Sequence, residues 1–179
     1  MMDGERVASH DAVLKELEAF YREIAEAARE LDEIHRNRLR CAKGCASCCV
    51  DDLSVYEIEA ENIRRHHAEL LASGSPHPGG ACAFLDQTGA CRIYPHRPYV
   101  CRTQGYPLRW FAAGPDGDEV EWRDICPINE DERPIIELLP QDCWTIGPAE
   151  ERLAQLQTAL PGGRMCRIRL RDLFTRSGS

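Results

Sequence analysis

Four cysteines fall within nine residues of this chain: Cys41, Cys45, Cys48 and Cys49, in the run CAKGCASCC. Thiolates are soft donors, and several together outcompete water for soft and borderline cations. The two-residue gap between Cys45 and Cys48 lets both sulfurs reach one metal, and Cys41, four positions earlier, can join the same centre. Gly44 gives the backbone room to curl around a metal, and Lys43 adds positive charge that favours ionised thiols. Cys48 and Cys49 are adjacent. Neighbouring side chains of an extended segment point to opposite sides, so the pair either serves two centres or includes one sulfur that bridges two metals.

Four more cysteines follow at wider spacing: Cys82, Cys91, Cys101 and Cys126. Eight thiolates are the right number for two four-thiolate zinc sites, and they also suit one or two iron–sulfur clusters. The spacing leaves the metal and the grouping of the sulfurs open. Cys143 and Cys166 stand alone and read as small buried apolar side chains. Arg92, Arg97 and Arg102 lie among the thiols, where they would balance the charge of thiolate-ligated metal. His96 is the best candidate for an extra ligand or proton donor. Asp51 and Asp52, beside Cys49, could supply an oxygen, although solvated loop carboxylates are the default. Tyr94, Tyr99 and Tyr106 read as packing. No Ser-His-Asp set, phosphate loop or carboxylate dyad stands out, so no catalytic residue is assigned and a binding module is favoured over an enzyme. The spacing Cys41-x3-Cys45-x2-Cys48 also fits radical S-adenosylmethionine enzymes. Ser47 replaces their usual aromatic, however, a fourth cysteine follows at once, and the chain is too short for their barrel.

The chain of 179 residues carries 30 acidic and 22 basic side chains, a net charge of -8, which argues against general nucleic-acid binding. No apolar stretch approaches the ~20 residues of a membrane span, and the opening MMDGERVASHD lacks the apolar core of a secretory signal. A cytoplasmic location is therefore expected, where ten cysteines read as ligands or redox groups rather than disulfides. Basic charge gathers near the C-terminus, with Arg164, Arg167, Arg169, Arg171 and Arg176 against Asp172. A solvated tail or edge strand is the plainer reading of that run, and a docking site for an acidic protein partner the sharper one.

The elements that must position these thiols are legible in part. Residues 10–38 lack Gly and Pro, and Leu17, Tyr21, Ile24, Ala28, Leu31 and His35 share one face, so one long helix is expected. Its apolar stripe would pack on the domain or pair with a second copy. Ser54 with Glu57 fits a capping box for a second helix running to Ser73, ahead of Gly74. Residues 84–91 read as a tight hairpin, and Pro98 can start a short helix carrying Cys101. A second hairpin joins LRWFAA to EVEWRD around Pro115-Asp116-Gly117, with Cys126 at its exit. A helix is expected from Pro148 to Leu160, and a last strand in MCRIRLRDLF. The expectation is an α+β fold: long N-terminal helices and short β-hairpins organised around a cysteine-ligated metal centre. It divides into an N-terminal helix (1–40), a cysteine-cluster domain (41–130) and a C-terminal helix with basic tail (131–179).

The ordered set CAKGCASCC, then CAFLDQTGACRIYPHRPYVCR, then Cys126-Pro127 resembles the YkgJ-like cysteine-cluster family, described as zinc- or iron-chelating. The resemblance covers roughly residues 38–127 and includes the pairs Arg97-Pro98 and Cys101-Arg102. It implies that Cys41, Cys45, Cys48, Cys49, Cys82, Cys91, Cys101 and Cys126 are the metal-binding set, with zinc or iron as the cofactor. Ala83 departs from the family pattern, which usually has Pro there, and the stretch before Cys126 is particular to this chain. Flagellin lysine N-methylases carry a similar cluster associated with iron and sulfide. That keeps an iron–sulfur protein with redox or modification activity as the alternative, but no glycine-rich cofactor turn accompanies it here.

Overall fold

The computed structural model describes residues 9–174; the polar start of the chain and Arg176 lie outside the described residues. Helix α1 spans His10–Ile34 and is capped by the Ser9 hydroxyl, which accepts the Ala12 N–H at 3.2 Å. All six residues of the expected stripe are buried. The stripe packs inside the chain, so the face considered for pairing with a second copy is already covered. The helix stops four residues before Arg38. There the chain turns into the C-terminal loops: Arg38, only 4% exposed, donates to the Arg133 carbonyl at 2.7 Å and pairs with Asp131 at 2.7 Å.

The second helical segment differs from expectation. Residues Ser54–Tyr56 form strand β1, and helix α2 begins only at Glu57. The carboxylate that caps it is Glu59, which accepts the Tyr56 N–H at 3.3 Å. Ser54 is instead paired with Arg169 across β1 and β5 (Arg167–Arg169), and its hydroxyl accepts from Arg167. The helix also breaks at His67, giving α2 (Glu57–His66) and α3 (Ala68–Ser73). Of the C-terminal arginines, Arg167 and Arg169 lie in an edge strand, and the side chains of Arg167, Arg169 and Arg171 donate within the chain.

Helix α4 (Tyr99–Thr103) follows Pro98 and carries Cys101 as expected. Strands β2 (Leu108–Ala113) and β3 (Glu119–Asp124) form the predicted hairpin, in register from Leu108 opposite Asp124 to Ala113 opposite Glu119. Gly117 at φ 85° supplies the left-handed turn residue. Strand β4 (Trp144–Thr145) adds parallel to β2, and α5 runs Pro148–Ala159. The hairpin expected at residues 84–91 reduces to one bridge, Leu85 with Cys91, closed by the Asp86 carboxylate accepting from the Thr88 and Ala90 N–H groups at 2.8 and 2.9 Å.

Two apolar clusters result, and α2 contributes to both. One gathers α1 with Ile58, Tyr99, Trp144, Leu153 and Leu160. The other gathers Val55, Ala60 and Ile63 with Phe84, Leu85, Ile93, Leu170 and Leu173, and includes Cys82. Among the described residues, no helix is long and apolar enough to cross a membrane.

Candidate metal centre

The eight candidate cysteines come from four places: the loop between α1 and β1, the turn at residues 82–91, α4, and the exit of β3. None of the ten cysteines of the chain is in a disulfide. Their electrostatic neighbourhoods divide them in two. Cys41 feels the charges of Cys45, Cys126 and Cys48. The Ser47 hydroxyl lies 3.7 Å from the sulfurs of both Cys45 and Cys126. Cys49 feels Cys82 and Cys101, and Cys101 feels Cys82 and Cys91. Cys48 and Cys49, adjacent in sequence and acting on one another, join the two groups.

Local backbone bonds build this arrangement. The turn at Gly44, with φ 90°, is closed by the Cys45 N–H donating to the Ala42 carbonyl at 2.9 Å. A second turn has the Cys49 N–H on the Ala46 carbonyl at 2.9 Å. The Cys82 N–H then donates to the Cys49 carbonyl at 2.9 Å, fastening the second cysteine run to the first.

Burial and mutual repulsion oppose ionisation in the second group. Burial pushes the Cys82 and Cys91 thiols up, and burial with the nearby Cys82 and Cys91 pushes Cys101 up to about 12. Interaction with the adjacent Cys48 holds the Cys49 thiol well above its ordinary value, and the same interaction draws Cys48 down to about 6. Arg97 favours the thiolates of Cys48, Cys91 and Cys101, and Arg171 that of Cys82. In the first group, burial raises Cys41 against a lowering hydrogen bond from Asn129.

Other residues expected near the metal are engaged elsewhere. Arg92 donates to the Ser75 and Ala83 carbonyls at 2.9 and 2.7 Å, and its milder effect is on Cys91. Arg102 lies 4.1 Å from the Tyr21 ring centroid and donates to the Arg97 carbonyl. The Lys43 charge acts on Asp86. Asp51 is paired with Arg171 and accepts the Gly80 N–H at 3.0 Å. His96 turns to other imidazoles: its Nδ1 is 3.0 Å from His67 Nε2, and its ring stacks on His66 at 3.9 Å. Tyr99 and Tyr106 pack as expected, Tyr99 against Phe20 and Trp144, while Tyr94 is exposed beneath Arg97. Cys143 is buried as expected, whereas Cys166, also expected to be buried, is exposed just before β5.

Three residues around the thiols have no signature in the sequence. Asn129 reaches Cys41 from beyond the last cysteine of the set, Gly105 packs against the Cys41 sulfur, and Ser47 lies between Cys45 and Cys126. Only Ser47, inside the CAKGCASCC run, stood close enough in sequence to be suspected.

Thiols are soft donors, and a set of this composition would suit a soft or borderline cation. Among the described residues, no three His, Cys, Asp or Glu groups enclose a point at which a metal ion could be held. No curated protein and no solved structure matches the chain. Residues 40–127 match the model of the CxxCxxCC family, whose description is "putative zinc- or iron-chelating domain", and this segment takes in every cysteine of both groups. By that match and by the order of its cysteines, the segment 40–127 is similar to the CxxCxxCC family of zinc- or iron-chelating domains.

Proposed function

We propose that this chain holds zinc or iron through eight cysteine thiolates in two adjoining centres, Cys41, Cys45, Cys48 and Cys126 in one and Cys49, Cys82, Cys91 and Cys101 in the other. The observation that carries this reading is the partition of the sulfurs across the adjacent pair Cys48–Cys49. Bound metal would supply the positive charge that lets crowded thiols ionise together, and Arg97 would offset part of the remaining negative charge. The role is that of a chelating or structural module, with Tyr99, Pro98 and the β2–β3 hairpin setting where Cys101 and Cys126 stand.

Elemental analysis and an absorption spectrum of protein purified without oxygen test this reading. About two zinc per chain without visible colour fits paired four-thiolate sites. Iron with acid-labile sulfide and a broad visible band moves the assignment to an iron–sulfur protein. Protein that takes up neither metal after reduction and reloading overturns the reading.

A further inference from the structure

We propose that Asn129 is a positioning residue of the first centre, its side-chain amide holding the Cys41 sulfur in place through an N–H···S hydrogen bond. The inference rests on the metal-holding reading above and deepens it. Asn129 is 0% exposed and lies outside the segment matched by the family.

Every polar atom of its side chain is used. Oδ1 accepts the Arg40 N–H at 2.8 Å, while Nδ2 donates to the Gly105 carbonyl at 2.8 Å and to Cys41 Sγ at 3.3 Å. The first two partners fix the amide's orientation, because an N–H must face oxygen and a carbonyl must face nitrogen. A donor is therefore what meets the sulfur. Arg40 directly precedes Cys41, so one amide fixes both the backbone entering Cys41 and the sulfur itself. The Asn129 backbone N–H in turn donates to the Cys126 carbonyl at 2.8 Å, which ties a second cysteine of the same group to the same residue.

Gly105 completes the seat. Its φ is +100°, and a Cβ there would lie 2.9 Å from Cys41 Sγ and 3.3 Å from Asn129 Nδ2. Only glycine lets the backbone approach this closely. An amide donor on a thiolate sulfur orients the ligand and stabilises its charge, as hydrogen bonds around metal ligands generally do.

Two variants of the full chain separate this role from simple anchoring. Asn129→Asp keeps an acceptor for the Arg40 N–H but removes the donor to Cys41, and Asn129→Ala removes both. Zinc affinity is read by competition with a chromophoric chelator, and thiolate-to-cobalt charge-transfer bands after cobalt(II) loading, with circular dichroism reporting the fold. Both variants are expected to fold, to weaken one metal equivalent about tenfold or more, and to shift the cobalt bands of that equivalent alone. An Asn129→Asp protein with wild-type affinity and bands overturns the proposal, since the Arg40 anchor would then account for the conservation of geometry. Should neither variant fold, the wild-type protein loaded with cadmium-113 decides. A through-hydrogen-bond coupling between the Asn129 side-chain amide proton and the metal supports the proposal, and its absence beside resolved cysteine couplings overturns it. Wild-type protein that binds no zinc, cobalt or cadmium overturns the metal-holding reading itself, and the role of Asn129 with it.

Discussion

Glu59 Oε1 accepts the Tyr21 hydroxyl at 3.0 Å, so the N-terminal helix is hydrogen-bonded to a buried carboxylate 38 residues away. The same carboxylate accepts the Tyr99 N–H at 2.8 Å and the Tyr56 N–H at 3.3 Å. One side chain therefore joins α1, the start of α2 and the start of α4, the helix that carries Cys101. Tyr21→Phe leaves a buried acceptor one donor short and is expected to cost about 1–3 kcal/mol in urea unfolding. A change below a few tenths of a kcal/mol would show that the bond contributes no net stability.

Burial raises the Glu59 pKa from its ordinary value despite these bonds. The folded state then binds more protons than the unfolded state between the two pKa values, so stability falls with rising pH across that window. The favourable contribution is complete below the unfolded value of about 4.3 and is lost as pH rises through the folded value. The stability of wild type relative to Glu59→Gln, which cannot titrate, should decline as pH is raised from about 4. A difference that grows with pH would contradict the assignment.

Arg171 holds the C-terminal segment to the loop after Cys49. It pairs with Asp51 and donates to the His77 and Ala81 carbonyls at 2.7 and 3.0 Å. Arg171→Ala should cost about 2 kcal/mol and make residues 75–81 more open to limited proteolysis. Arg171→Lys should recover only part of this, because an ammonium lacks the planar fork that reaches several acceptors at once.

The cysteines should divide sharply on substitution. Cys45→Ser and Cys48→Ser are each expected to lose bound metal, as measured by elemental analysis, because a four-thiolate site needs every ligand. Cys166 is exposed, so Cys166→Ser should change stability by no more than about 0.5 kcal/mol and leave the metal content unchanged. Cys143 is buried, and Cys143→Ser should cost about 1–3 kcal/mol by burying a hydroxyl while the metal content stays the same.

Chelation should act unevenly. The cluster around Leu17, Phe20, Tyr99 and Trp144 is apolar and contains none of the eight candidate ligands, whereas Cys82 lies in the second cluster and Cys49 and Cys91 pack against it. Hydrogen exchange after metal removal should accelerate most in residues 41–53 and 82–92, while the α1 amides keep most of their protection. Uniform loss of protection would mean that the metal supports the whole fold.

The sequence by itself determined the elements whose cause is local. The α1 stripe follows from helical periodicity, the β2–β3 hairpin from the turn residues Pro115-Asp116-Gly117, and the expectation of chelating chemistry from thiols at short spacing. Ser54 shows where local reading stops. Its capping pattern was real, but pairing with Arg169, 115 residues later, held it in a strand and passed the capping role to Glu59. The grouping of the sulfurs was likewise undecided by spacing, since Cys126 is nearer in sequence to Cys101 than to Cys41 yet sits with Cys41. Only the tertiary structure decides that Arg97 and Arg171 act on the thiols, that Asp51 is held by Arg171, and that Asn129 meets Cys41. Each of these depends on where separate segments of chain meet in space, and the energies that fix those meetings are spread over both apolar clusters rather than written in any one stretch of residues.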